Sequence, residues 1–193
     1  MPASREYVVR TLLAGLAVAA LVPRPLPGQE ITIVAVGDIE WSRATKPPAM
    51  YYDAVSFHWG IENSQEVHPG MRDFAHDVLD AGADAILGHH PHVPRGIEVR
   101  DGKPIVYSMG NFIFGHGHDY WMDNIAVRLH LDAEGVTRLD VLPIAGRGDD
   151  LSQPYLLEGE AARTLLEDIR ARSAGLGTTL RIEGDAGVID VSR

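Results

Sequence analysis

The chain has 193 residues, a formal net charge of −10 and no cysteine. Its hydrophobic content of 45% and charged content of 23% are ordinary for a globular protein, which excludes a wholly disordered chain, and the length favours one domain. The acidic balance argues against a nucleic-acid binder, because such proteins need a cationic surface to displace counterions. The absence of cysteine excludes disulfides, thiolate metal sites and thiol catalysis.

The first 30 residues, Met1 to Glu30, have the pattern of an export segment. Arg5 and Arg10 make a positive n-region. They precede an uncharged apolar run, Thr11 to Val22, whose length suits the h-region of a signal peptide. The run is short for a membrane span, which needs about 20 residues. The pattern predicts an exported protein, either secreted or held at the membrane by an uncleaved N-terminal anchor. The alternative is a buried first helix.

The next apolar run, Ile31 to Val36, is mostly β-branched and predicts a strand buried on both faces. Asp38 follows it, at the strand end where α/β folds place ligands, and is therefore a candidate metal ligand. An aspartate that stabilises a turn is the equally acceptable alternative. The segment from Trp41 to Tyr52 has no sustained apolar period and is expected to be an irregular loop.

A strand, a helix and a strand follow in that order. Asp53 to Phe57 predicts a strand that ends at His58, and Ala85 to Leu87 predicts the next one. Between them Pro69 opens a helix with an apolar stripe at helical spacing, which leaves His76 on the solvated side. This order predicts a parallel crossover, which places the ends of both strands on one edge of the sheet.

The second of these strands leads into Gly88-His89-His90-Pro91-His92. Of the nine histidines, only His130 lies outside the span from His58 to His118. Neutral imidazole is the commonest metal-binding side chain, and a strand that ends in a turn can direct two rings at one point. The sequence therefore predicts a metal-binding turn, with a histidine-rich surface loop as the alternative.

The remainder of the chain predicts two hairpins, an amphipathic helix and two short strands. They cover Gly96 to Arg100 with Pro104 to Met109, Asn124 to Leu131 with Val136 to Ala145, Glu160 to Ala174, Thr179 to Ile182, and Val188 to Val191. An aspartate and several histidines at separate strand ends are typical of a metallohydrolase edge. A Ser-His-Asp hydrolase is disfavoured, since no G-x-S-x-G motif is present.

Three stretches carry a resemblance to a known family: Val36-Gly37-Asp38, the run from Phe57 to Glu62, and the long block from Asp80 to Phe114. Together they resemble the CapA-type capsule synthesis proteins of poly-γ-glutamate biosynthesis, whose domain is similar to calcineurin-like metallophosphoesterases. The resemblance implies an α/β fold, an α+β sandwich of mixed sheets flanked by helices, over residues 31–193.

The resemblance also implies a divalent metal ion, Zn, Mn or Fe. It assigns the ligand roles to Asp38, His58, His90 and His92, with His58 and His90 serving catalysis. His89, Asn111 and Glu62 are expected behind these ligands. For Glu62, a solvated loop carboxylate is an equally good interpretation.

The chain departs from the family in one place. Family members carry a long segment between the Gly-Asp strand and the His-Trp-Gly strand, whereas only Ile39 to Phe57 stands there in this chain. The domain therefore resembles a truncated form with an internal deletion near residues 39–53, and one metal ion is expected rather than a pair.

Three functions follow as hypotheses. The first is a capsule or poly-γ-glutamate biosynthesis protein that acts as a metal-dependent hydrolase or transferase on an anionic polymer or phosphoester. The second is a non-catalytic binding or assembly remnant of that fold, working with other capsule-synthesis proteins. The third is a general metallophosphoesterase.

Overall fold

The structure is a computed structural model that describes residues 5–6, 18–23, 31–35, 51–113, 122–147 and 153–191. Within these residues the chain forms strands and two helices. In chain order they are β1 (Arg5–Glu6), β2 (Val18–Pro23), β3 (Ile31–Ala35), β4 (Tyr51–His58), α1 (Pro69–Asp80), β5 (Ala85–His89), β6 (Ile97–Arg100), β7 (Lys103–Val106), β8 (Asn124–Leu131), β9 (Val136–Ile144), α2 (Gly159–Ala174), β10 (Arg181–Glu183) and β11 (Ala186–Asp190).

The strands form two sheets. The first has the order β1-β3-β8-β9-β11-β10 and the second the order β2-β4-β5-β7-β6. The second sheet is mixed, because β4, β5 and β7 run parallel while β2 and β6 pair antiparallel at its edges. Mixed sheets with helices confirm the α/β class that the sequence predicts.

The core has two parts, one on each side of the second sheet. The larger part takes buried residues from both sheets and from α2, among them Val106, Val127 and Leu166. The smaller part packs α1 on the other face, where Ala75 and Leu79 contact the side of β5 and β7. The central strands of this sheet are therefore covered on both faces, as their apolar sequences require.

The predicted strand, helix and strand are confirmed as β4, α1 and β5. The two strands pair parallel, with His58 opposite His89. β5 continues two residues beyond the predicted Ala85 to Leu87, because the parallel ladder with β4 extends to that last pair. Tyr51 and Tyr52, expected in a loop, belong to β4, because their backbone pairs antiparallel with β2.

The remaining predicted elements are confirmed with small shifts in their bounds. Both hairpins form, as β6 with β7 and β8 with β9. The prediction that His76 is simply solvated is wrong: its Nε2 lies 2.9 Å from Glu98 Oε1, and 26% of its side chain is exposed. Helical periodicity cannot show this contact, because the carboxylate comes from β6.

Part of the predicted export segment lies in a strand. Residues Val18–Pro23, from the end of the apolar run, form β2 at the edge of the second sheet. Among the described residues, neither α1 nor α2 is long and apolar enough to cross a membrane. Export and cleavage after Met1 to Glu30 stay predictions.

Candidate metal centre

The loops after β4 and β5 meet at the end of the second sheet. Trp59 N donates to His89 O at 3.1 Å, and Asn63 N donates to Pro91 O at 2.8 Å. These bonds continue the contact between the two parallel strands past their ends. They hold the loop that carries Glu62 against the histidine turn.

Glu62, His90 and His92 come together in this arrangement. Each offers one ligand atom, and the three atoms lie within 4.8 Å of one another. Both histidines are half-buried and the glutamate is exposed. Metal–ligand bonds of about 2.0–2.2 Å bring all three atoms within reach of one ion after small side-chain rotations. Two imidazoles and a carboxylate form a donor set that suits Zn, Mn or Fe, so these residues fit the implied metal.

The histidine turn has an uncommon backbone. His90 has φ 95° and His92 has φ 61°, both in the left-handed region that residues with a Cβ seldom occupy. Each such residue costs on the order of 1–3 kcal/mol, and these costs cluster at functional sites. The surrounding structure therefore maintains a turn conformation that the sequence alone disfavours.

Asn111 fixes the proton on His92. Its Oδ1 lies 2.7 Å from His92 Nδ1, and because an amide oxygen only accepts, His92 Nδ1 is the donor. The ring's lone pair then resides on Nε2, which leaves that atom available as a metal ligand. Asn111 is 1% exposed, and its own backbone N donates to Asn124 Oδ1 at 2.9 Å. It lies behind His92, on the Nδ1 side of the ring.

Replacing Asn111 with alanine should weaken divalent-metal binding by about 10- to 100-fold, the usual effect of losing the partner of a ligating histidine. The backbone N–H that Asn124 accepts is retained in this variant. Isothermal titration with Zn²⁺ or Mn²⁺ measures the change. Asn111→Asp should restore most of the affinity, since a carboxylate accepts the same hydrogen bond. Equal affinity for the alanine variant and the parent would contradict the assignment.

His89 lies deeper, behind His58. Its Nε2 is 2.8 Å from Ser56 Oγ and its Nδ1 is 3.2 Å from His58 Nδ1. The His89 ring is 4% exposed. When its Nε2 donates to Ser56 Oγ, its Nδ1 carries the lone pair and accepts a hydrogen bond from His58 Nδ1. The lone pair of the His58 ring is then on Nε2. His89 thus orients His58 by its contacts.

His58 stands beside the three-residue group without being one of its members. Its ring centroid lies 4.4 Å from that of His90, and its ring is exposed. Asp38, the other ligand expected from the resemblance, lies outside the described residues. The structure therefore brings together His90 and His92 of the expected set and adds Glu62 to them.

An aromatic cluster supports the loop. Trp59 stacks on Phe57 with ring centroids 4.9 Å apart, and its Nε1 donates to Tyr107 O at 3.0 Å. This contact ties the loop after β4 to the segment after β7. The same loop is also bonded to the histidine turn after β5, so the position of Glu62 depends on all three chain segments. The sequence signals for Glu62 are its place four residues after His58, at a strand end, and its place in the run from Phe57 to Glu62 that carries the family resemblance.

Comparison with known proteins finds similarity in the part of the chain that forms this edge of the sheet. A family model described as bacterial capsule synthesis protein PGA_cap matches residues 37–116, which contain the candidate ligands. The class defined by fold and site is an α/β protein with a histidine-rich centre at the ends of parallel strands. Over this part of its length the chain is similar to capsule synthesis proteins of the CapA type, as the sequence motifs predict.

Three relatives show how much of the family is present. The chain is 44% identical over 90 residues to the PGA biosynthesis protein CapA of Bacillus subtilis, and 41% identical over 90 residues to the capsule biosynthesis protein CapA of Bacillus anthracis. These matches cover 47% of this chain and 24% and 22% of the relatives. A probable polyglutamine synthesis accessory protein of Mycobacterium tuberculosis is 46% identical over 127 residues, 61% of this chain and 33% of that protein. The chain thus spans a third or less of each relative.

Proposed function

We propose that this protein takes part in the biosynthesis of a capsule polymer of the poly-γ-glutamate type, through a divalent metal held by Glu62, His90 and His92. The observation that supports this most is the convergence of those three ligand atoms within 4.8 Å. His58 and Asp38 are the further ligands implied by the family motif. The names of the relatives, a PGA biosynthesis protein and a capsule biosynthesis protein, support the polymer class.

The metal would polarise a phosphoryl or carbonyl oxygen and lower the pKa of a bound water. The chain's own residues prepare the site for it. Asn111 holds the proton of His92 on Nδ1, and His89 orients the ring of His58. Because the chain has a net charge of −10, a local dication also supplies the positive charge that an anionic polymer or phosphoester needs. The apolar run from Thr11 to Val22, with Arg5 and Arg10 before it, supports export to the cell surface.

Metal content tests the proposal. The purified chain should bind about one equivalent of Zn, Mn or Fe, and His90→Ala or His92→Ala should remove most of it, because each deletes one of few ligands. Elemental analysis of dialysed protein measures the content. His68→Ala is the matched control, since His68 is an exposed cap of α1 outside the site. A parent chain without bound metal would refute the proposal.

A binding or assembly subunit without catalysis is the second candidate. It is favoured by the short spacing from Ile39 to Phe57, where the resemblance implies a long segment. The metal-loaded chain should be tested with γ-glutamyl polymer and with simple phosphoesters. Turnover of polymer supports the first function and turnover of phosphoesters alone supports a general metallophosphoesterase. Metal binding without turnover supports the subunit.

A further inference from the structure

Arg95 is a buried cation just beyond the histidine turn. It is 1% exposed, and in the part of the chain that the structure describes no carboxylate forms an ion pair with it. Its Nε donates to Ser64 O at 2.7 Å and its Nη2 donates to Ile61 O at 3.0 Å. Nη1 lies 3.1 Å from Met71 Sδ. Its hydrogen bonds to the described residues therefore go to neutral groups.

Such a guanidinium is costly to bury. Removing a charge from water is unfavourable unless it is paired or fully hydrogen-bonded, and burial lowers the pKa of Arg95 to about 10. A side chain that only filled this space would be apolar. Hydrogen bonds from a charged donor to carbonyl oxygens are stronger than neutral ones and offset part of the cost. The burial of Arg95 is therefore best explained by the segment whose backbone carbonyls accept its hydrogen bonds.

That segment carries Glu62. The two carbonyls belong to Ile61, directly before it, and Ser64, two residues after it. The chain also fits closely around the guanidinium at Gly60, which has φ 96° and where a Cβ would lie 2.5 Å from Arg95 Nη1. Gly60 is thus required by its backbone conformation and by the nearness of the guanidinium.

The backbone of Arg95 is itself anchored next to the histidines. Arg95 N donates to Ser108 O at 3.0 Å, and Ser108 Oγ donates to Val93 O at 2.7 Å. A bridge between Pro94 and Met109 continues this pairing. The side chain therefore extends from the segment that follows His92 to the loop that bears the carboxylate.

We propose that Arg95 is a positioning residue that holds the Ile61–Ser64 segment, and with it the Glu62 carboxylate, beside His90 and His92. It connects the two loops of the site through backbone carbonyls, and among the described residues it donates no hydrogen bond to Glu62, His90 or His92. This inference rests on the proposed metal site, and two separate measurements test it.

The first measurement is metal affinity in the full chain. Arg95→Met should weaken Zn²⁺ or Mn²⁺ binding by about 10- to 100-fold, as the loss of an outer support for a ligand does. Glu62→Gln should weaken it as well, and the double variant should bind no more weakly than Glu62→Gln alone, because both changes act through one carboxylate. Additive losses would overturn the proposal.

A stability control accompanies the cycle. Tyr107→Phe removes a buried hydrogen bond to Glu98 and leaves the Ile61–Ser64 carbonyls in place, so it should lower stability with unchanged metal affinity. If Arg95→Met does not fold, Arg95→Lys carries the same test. It keeps the charge and stem but loses the planar fork that reaches two carbonyls.

The second measurement needs no metal. In chelator-treated protein, the amide of Asn63, which donates to Pro91 O, should exchange about 10- to 100-fold faster in Arg95→Met, the factor for about 1.4–2.8 kcal/mol. Amides of β8 and β9 should be unchanged. If the parent binds no metal but exchange at Asn63 is faster in Arg95→Met than in the parent, the proposed function is refuted and the positioning role is retained. Unchanged exchange at Asn63 would overturn that role.

Discussion

A Gly88→Ala variant is expected to lose about 3 kcal/mol or more of its free energy of unfolding, because the new methyl group has no space. A Cβ at Gly88 would lie 2.2 Å from Tyr107 O and 2.6 Å from Trp59 Nε1. The first atom is backbone of the chain beside β5, so the clash cannot be relieved by rotating a side chain. Either the sheet or the Trp59 contact with Tyr107 must move.

Urea unfolding followed by tryptophan fluorescence measures this loss. Gly70→Ala is the matched control: Gly70 lies in the first turn of α1, and the nearest atom to its Cβ would be His68 Nδ1 at 3.6 Å, an ordinary contact. That control should leave stability unchanged or raise it by about 0.5–1 kcal/mol, as alanine for glycine does in helices. A Gly88 variant as stable as its control would show that the sheet adapts readily.

A Glu98→Gln variant is expected to lose about 3 kcal/mol of its free energy of unfolding, because its cationic and polar partners no longer face a negative charge at this buried site. The Glu98 side chain is 4% exposed. It accepts from Arg72 Nη2 at 2.8 Å, from Tyr107 Oη at 2.7 Å, and its Oε1 lies 2.9 Å from His76 Nε2. The loss stays at the low end of what a broken buried pair costs, since the Arg72 side chain is 41% exposed and can regain water.

The same carboxylate makes stability depend on pH. Burial alone would raise the pKa of Glu98, but its three hydrogen-bonding partners outweigh burial and hold it below the ordinary value of 4.5. The ionised form therefore contributes its full stability above that value, and the contribution is lost as the pH falls further toward the lowered pKa. The parent should lose stability in this acid range more steeply than Glu98→Gln.

Denaturant unfolding of both proteins between neutral pH and acid measures the difference. Asp80→Asn serves as the matched acid-to-amide control, because Asp80 forms an exposed ion pair with Arg100 and its side chain is 62% exposed. This control should change stability by about 1 kcal/mol or less. Parallel pH profiles for the parent and Glu98→Gln would contradict the assignment.

The crossover and the histidine turn could be predicted because their signals are local. Apolar periodicity gives the strands and α1, and the order of elements places His58 and His90 at one edge. The family motifs cover the same stretch. Chemistry that follows directly from a strand end is therefore visible in the sequence.

The partners of these groups could not be predicted in the same way. Glu62 joins the histidines because its loop is fixed by backbone bonds and by Arg95, and no spacing rule reports such bonds. His76 falls on the polar side of α1, yet a carboxylate from β6 reaches it. Contacts between elements far apart in the chain depend on the sheet order, which the sequence pattern leaves open.

The site is also local in the chain. Glu62, His90, His92 and Asn111 come from loops around one strand-helix-strand crossover and the hairpin that follows it. The entropy lost in closing a loop rises slowly with its length, and short closures are met early in folding. The loops that carry Glu62, His90 and His92 can therefore be brought together by the folding of this one crossover, before the strands of the first sheet have found their partners.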